Sequence, residues 1–113
     1  MSGRLTDKII FITGAASGIG KATADAVRAE GGVVAAADIG AIEGLSFRDT
    51  SYSLDVTNEA ATKQTVAEIL KHYGRIDGLM TCAGISVAGT ATHFDLADWD
   101  RALAVNLTGT MLS

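Results

Sequence analysis

Three glycines fall in seven positions between an apolar run and a helical pattern, in KIIFITGAASGIGKATADAV, Lys8 to Val27. Lys8 to Thr13 reads as a short strand whose apolar run is continuous rather than alternating, the mark of burial on both faces. From Gly18 to about Glu30, Ile19, Ala22, Thr23, Ala26 and Val27 recur at helical spacing. A buried strand, a helix and a second buried strand suit a parallel pair, which needs a crossover of this kind.

The rest of the chain follows that rule. Gly31-Gly32 ends the first helix, and VVAAAD, Val33 to Asp38, is a second buried strand. AIEGLSF reads as a short helical turn or loop, and YSLDV, Tyr52 to Val56, as a third strand. Thr57 is placed to cap a helix from about Asn58 to Tyr73, with Val66, Ile69, Leu70 and Tyr73 as its apolar stripe and Gly74 as its stop. Ile76 to Gly84 gives a fourth strand and a glycine turn, and a loop follows to about Asp95. LADWDRALAVNLTGTML is helical, with Trp99, Leu103 and Leu107 along one face. This order predicts an α/β protein with an open, doubly wound parallel sheet and helices on both faces. NLTGTMLS stops inside a helical pattern, so the chain reads as one partial domain, residues 1–113, truncated after about four strands.

The totals exclude several classes of function. With 48% hydrophobic residues the 113-residue chain can bury a core, and a net charge of −4 argues against a nucleic-acid partner. No apolar run approaches the length of a membrane span, and MSGRLTDK lacks the apolar core of a secretory signal, so a cytoplasmic location is expected. Cys82 is the single cysteine; it can form no internal disulfide, and no metal site is expected.

A glycine turn of this kind suits a pyrophosphate, which needs bare backbone N–H groups and the positive end of a helix. Gly14 permits the turn off the strand, Gly18 the close approach of a phosphate, and Gly20 the packing of helix onto sheet. Ser17 adds a hydroxyl. Asp38, at the end of the second strand, stands near the interval at which dinucleotide folds place an acid for the ribose hydroxyls. It would repel a 2′-phosphate, and no basic residue lies in the turn or in DIGAIEG, so NAD is expected over NADP. The alternative is a turn that only connects two elements, with Asp38 a solvated strand end.

These segments together resemble the short-chain dehydrogenase/reductase family, in its classical branch. TGAASGIG matches the family's TGxxxGIG turn, which includes Ile19. LDVT matches the segment whose acid, here Asp55, meets the adenine amino group while Val56 packs beside the ring. TCAG stands where the family has NNAG, with Ala83 and Gly84 along the cofactor, and VNLTG carries Asn106, the asparagine of the catalytic tetrad. The resemblance implies a Rossmann-like fold and hydride transfer between a nicotinamide and a small alcohol or carbonyl substrate. It also implies a homo-oligomer when full-length. Thr81 and Cys82 replace two asparagines, and a threonine makes fewer bonds than the amide it replaces. The family's serine and its tyrosine followed four residues later by lysine are not present: Tyr52 is followed by Val56 and Tyr73 by Asp77. The chain alone is therefore expected to be inactive. Two other classes stay open, a dinucleotide-binding or regulatory module without catalysis and a fragment that binds nothing.

Other polar residues invite weaker readings. His72 sits at a helix C-terminus, where a cation is mildly favoured, and His93 in the loop after the fourth strand, nearer to where a substrate would lie. Asp95, Asp98 and Asp100 cluster at a helix start, where negative charge is favoured without a metal.

Overall fold

A computed structural model describes residues 3–86, 89–90 and 92–113. Four strands form a parallel sheet: β1 (Ile9–Thr13), β2 (Val33–Asp38), β3 (Thr50–Ser53) and β4 (Gly78–Thr81), in the order β3-β2-β1-β4. Helix α1 (Gly18–Ala29) carries the chain from β1 to β2, and α2 (Glu59–Tyr73) from β3 to β4. Helix α3 (Leu96–Leu103) passes through a π-helical turn, Ala104–Gly109, into α4 (Thr110–Leu112). This is the α/β architecture expected from the sequence.

The continuous apolar character of β1 and β2 is explained by two cores, one on each face of the sheet. Ile9, Phe11, Val33, Ala35 and Ala37 join Leu54, Val56 and Ile69 of α2 and its approach. Ile12, Val34 and Ala36 alternate with them and join Ala15, Ala24 and Val27 under α1. Phe11 and Ile12 are essentially without solvent contact, and burying each side chain contributes about 1.5–3 kcal/mol.

The β2–β3 crossover, residues 39–49, resolves as a loop without a helix, although a parallel connection is usually helical. A buried carboxylate holds it instead. Asp49 Oδ1 accepts the Val34 N–H at 2.9 Å, while Oδ2 accepts the Ser46 N–H at 3.0 Å and the Arg28 Nε at 2.6 Å. Val34 lies one residue before the first β2–β3 pair, Ala35 with Thr50, so Asp49 takes the N–H that no strand reaches. Ile42 and Leu45 of the loop pack against the core under α1.

Several boundaries differ from the sequence reading. β3 begins at Thr50, not Tyr52, and ends at Ser53 because its partner β2 ends at Asp38. Leu54 to Val56 therefore run past the sheet. Asn58, not Thr57, caps α2: its side chain accepts the Ala61 N–H at 3.0 Å, whereas the Thr57 hydroxyl is drawn to Asp55 at 2.6 Å. On α2 the buried stripe runs through Thr62, Thr65 and Ile69, and Leu70 faces out. Within Ile76 to Gly84, expected as a strand and a glycine turn, the strand takes Gly78–Thr81. The last helical stretch is interrupted by the π turn, which no period in the sequence announces. In the loop before α3, residues 87, 88 and 91 lie outside the described residues.

Candidate functional site

The glycine turn follows β1 directly. Gly14 sits at φ 69°, and a Cβ there would lie 2.5 Å from Ala83 N and from the Cys82 carbonyl carbon. Glycine thus serves both the turn and the contact between two strand ends. A Cβ on Gly20 would meet Gly14 O at 2.0 Å, so α1 rests on the turn itself. Gly18, at φ 56°, has no atom within 4 Å of a notional Cβ and opens into space. Ser17 stands at the N-cap of α1 but makes no side-chain cap bond, and the first turn of α1 has no acidic residue. Neither the N-cap nor the first turn of α1 offsets the positive end of the helix with a side chain of its own.

In front of this turn lies a cavity of about 320 Å³ over the carboxyl ends of the strands. Gly14, Ser17, Gly18 and Ile19 form one wall, Asp38 and Ile39 a second, and Leu54, Asp55 and Val56 a third. Cys82, Ala83, Gly84, Ile85 and Val105 complete it. The cavity spans the gap between β1 and β4, where strand order reverses and open α/β sheets bind ligands. Ile39, Leu54, Ile85 and Val105 were not singled out by sequence. Each adjoins or closely follows a residue that was, but an apolar side chain alone carries no chemical signal.

The polar groups of the wall are oriented by their neighbours. Asp38 Oδ2 accepts the Ala16 N–H at 3.0 Å and Oδ1 accepts the Gly40 N–H at 2.9 Å. Asp55 Oδ1 accepts the Thr57 hydroxyl and, at 2.9 Å, the Thr57 N–H; these bonds hold its carboxyl below the usual range. Cys82 is half-buried.

Gly20 and Asn106 stand behind the wall rather than in it. Asn106 lies in the π turn, with its amide bonded to both backbone groups of Ile85. Gly109 of the same turn packs on Val56, where a Cβ would come within 2.6 Å of Cγ2. The π turn is thereby fixed to two sides of the cavity.

The remaining candidates lie elsewhere. His93 is exposed, with Nδ1 2.9 Å from the Thr92 hydroxyl, and His72 meets the Tyr73 ring edge-on at 4.5 Å. Tyr73 donates its hydroxyl to Arg48 O at 2.7 Å, and burial raises its pKa. Asp95 caps α3 by accepting the Ala97 N–H at 2.9 Å. Trp99, Leu103 and Leu107 are exposed, leaving an apolar face on the helix. Among the described residues no helix is long and apolar enough to cross a membrane.

A 3-2-1-4 parallel sheet with its cavity at the strand reversal defines a Rossmann-like α/β protein. The model of the short chain dehydrogenase family matches residues 8–113, and the chain belongs to that family. It is 40% identical to the 3-oxoacyl-[acyl-carrier-protein] reductase FabG of Thermotoga maritima, over 94% of this chain and 47% of that protein. Ligand-free aldohexose dehydrogenase (AldT) of Thermoplasma acidophilum superposes with a TM-score of 0.90 at 32% identity, covering 99% of this chain and 43% of that one. A short chain dehydrogenase of Leptospira borgpetersenii with bound NAD+ gives 0.89 at 26% identity, covering 96% and 43%. The chain thus spans about half the length of the relatives it matches.

Proposed function

We propose that this chain is the cofactor-binding part of an NAD-dependent oxidoreductase that exchanges hydride with a small alcohol or carbonyl substrate. The observation that carries the reading is the set of polar groups around one cavity. It combines backbone N–H groups at the start of α1, the Ser17 hydroxyl and the Asp38 carboxylate beside them. A diphosphate suits the first two. Each Asp38 oxygen accepts one N–H and keeps capacity for a ribose hydroxyl. Asp55, Val56 and Ile39 offer an acid and apolar surface for adenine, and Ala83 and Gly84 offer backbone beyond the diphosphate. The nicotinamide of the bound cofactor supplies the hydride chemistry; the residues of this chain bind and orient it, with Asn106 holding the helix behind.

NAD is favoured over NADP because Asp38 would face the 2′-phosphate. Residues 39–47 hold no lysine or arginine, and Arg48 is paired with Asp7 at 2.8 Å. The NAD+ bound by the Leptospira relative supports the same choice. The exposed face of Trp99, Leu103 and Leu107 supports a homo-oligomer of the whole protein. A cytoplasmic location accompanies this reading.

Equilibrium dialysis tests it. NAD should bind saturably and about tenfold or more tighter than NADP, a difference of ~1.4 kcal/mol or more. Equal affinities would overturn the cofactor choice, and no saturable NAD binding the reading itself. A second reading is a binding module without catalysis: within residues 1–113 neither tyrosine has a lysine four residues on, and the Tyr73 hydroxyl is engaged by Arg48 O. On either reading the chain alone forms no reduced nicotinamide from NAD and an alcohol. Turnover by the purified chain would refute that expectation.

A further inference from the structure

We propose that Asp38 positions the glycine turn as well as meeting the adenosine ribose, so that one carboxylate sets both the choice of dinucleotide and the grip on its diphosphate. This rests on the reading of the cavity as a dinucleotide site.

Two consecutive amides of the turn are tied back to β2. The Ala15 N–H donates to Ala37 O at 3.2 Å, and the Ala16 N–H to Asp38 Oδ2 at 3.0 Å. The first acceptor is fixed by the sheet; the second is a side chain. That side chain is held from its other end by the Gly40 N–H at 2.9 Å. Its backbone is held as well, because Asp38 pairs with Ser53 and its carbonyl accepts the Leu54 N–H at 3.0 Å. With Ala15 and Ala16 turned to β2, the amides of Ser17, Gly18 and Ile19 remain for an anion. Ser17 makes no cap bond and Gly18 has open space around it. The Ala16–Asp38 bond is therefore the nearest side-chain restraint on the phosphate-facing amides.

Asparagine is the informative substitution. Its amide has one acceptor oxygen and one donor NH₂ where the carboxylate has two acceptors. Whichever way it turns, the Ala16 N–H or the Gly40 N–H faces a donor. Electrostatics predict the opposite effect on an anion, since removing a nearby negative charge strengthens phosphate binding. The two effects separate in ligand fragments.

Calorimetry on the chain and on Asp38→Asn, with NAD, adenosine and inorganic pyrophosphate, tests the proposal. Adenosine carries the ribose and adenine without phosphate, and pyrophosphate the anion alone; Asp38 meets only the ribose of the first. Asp38→Asn should weaken both by about tenfold (~1.4 kcal/mol each), and exchange of the Ala16 amide proton in the ligand-free protein should accelerate. Unchanged or tighter pyrophosphate binding with weakened adenosine binding would overturn the positioning role and leave the ribose role standing. Failure of the unaltered chain to bind NAD or adenosine would instead overturn the dinucleotide reading. Should Asp38→Asn not fold, the unaltered protein still decides: a scalar coupling across the hydrogen bond from the Ala16 nitrogen to the Asp38 carboxyl carbon is expected, and its absence overturns the proposal.

Discussion

Asn106 and Ile85 hold each other through two hydrogen bonds. The Ile85 N–H donates to Asn106 Oδ1 at 2.8 Å, and Asn106 Nδ2 donates to Ile85 O at 2.9 Å. A side-chain amide thus completes the backbone of the segment that follows β4, as a neighbouring strand would. Asn106→Ala removes both bonds from a solvent-exposed site, which is expected to lower stability by about 1–2 kcal/mol. Urea denaturation measures the loss, and faster exchange of the Ile85 amide locates it. Unaltered Ile85 exchange would show that the asparagine does not hold this segment.

Gly109 answers Val56 in the same way, by absence of a side chain. A Cβ at Gly109 would lie 2.6 Å from Val56 Cγ2 and 3.2 Å from Ala104 O. Alanine in a helix is ordinarily worth about 1 kcal/mol over glycine, but overpacking costs about 1–3 kcal/mol. Gly109→Ala is therefore expected to be net destabilising. Adding Val56→Ala should recover part of the loss, a coupling read from the double-mutant cycle. Simple additivity would mean the two residues do not share the contact.

The parts of the fold that were legible in the sequence are those decided by local chemistry. The continuous apolar runs of β1 and β2 mark strands buried on both faces, and glycines mark Gly14, Gly31 and Gly74, all at positive φ. Of the cavity wall, the residues with distinctive chemistry were legible: Ser17, Gly18, Asp38 and Asp55. What stayed hidden depends on partners far along the chain. The end of β3 is set by where β2 stops, and the cap of α2 by whether Asp55 claims the Thr57 hydroxyl. The π turn sets Gly109 against Val56, a contact no local pattern shows. The crossover held by Asp49 looks from sequence like any polar loop.

Asp49 makes acid stability a test of that crossover. Its side chain is fully buried. Burial pushes its carboxyl up, but the Val34 N–H, the Arg28 side chain and the Ser46 N–H outweigh burial and hold it below its ordinary value. The unfolded chain therefore takes up this proton at higher pH than the folded one. The stabilisation is complete above about pH 4, the ordinary carboxylate range, and is lost as pH falls through the lower folded value. Asp55 and Asp77 act in the same direction, through Thr57 and through the Ile9 N–H and Arg75. Asp49→Asn should be weaker near neutral pH by about 3 kcal/mol, because Arg28 loses its buried partner, and its stability should fall less steeply in acid. A variant that keeps the full acid slope would assign the titration to another group.

Thr13 presents the reverse situation, a buried hydroxyl with nothing to bond. Its side chain is almost wholly buried, and Oγ1 has no hydrogen-bond partner among the described residues. Its register neighbour on β4 is Thr81, the position at which the family pattern has an asparagine. An unpaired buried group costs about 1–3 kcal/mol, so Thr13→Val, nearly the same shape, should raise the unfolding free energy by about 1 kcal/mol. Thr81→Asn should stabilise the protein with Thr13 present and not with Val there. Equal effects in both backgrounds would show that the asparagine bonds elsewhere.

Gly14 and Gly18 both need positive φ, yet they should fail differently when replaced. At Gly14 a Cβ would strike backbone, the Ala83 nitrogen and the Cys82 carbonyl carbon at 2.5 Å, and neither can move without displacing the end of β4. Gly14→Ala is expected to prevent a cooperative native fold, seen as loss of the thermal transition. At Gly18 a Cβ meets nothing within 4 Å, so the penalty is the left-handed backbone alone, about 1–2 kcal/mol. The new methyl, however, enters the cavity wall where a phosphate must approach. Gly18→Ala should therefore keep a folded protein with a slightly lowered melting temperature and lose NAD binding by at least about tenfold, equivalent to ~1.4 kcal/mol. Melting curves and dialysis on the same preparation separate the two effects. A folded Gly18→Ala protein with undiminished NAD affinity would mean that the diphosphate does not lie against this turn.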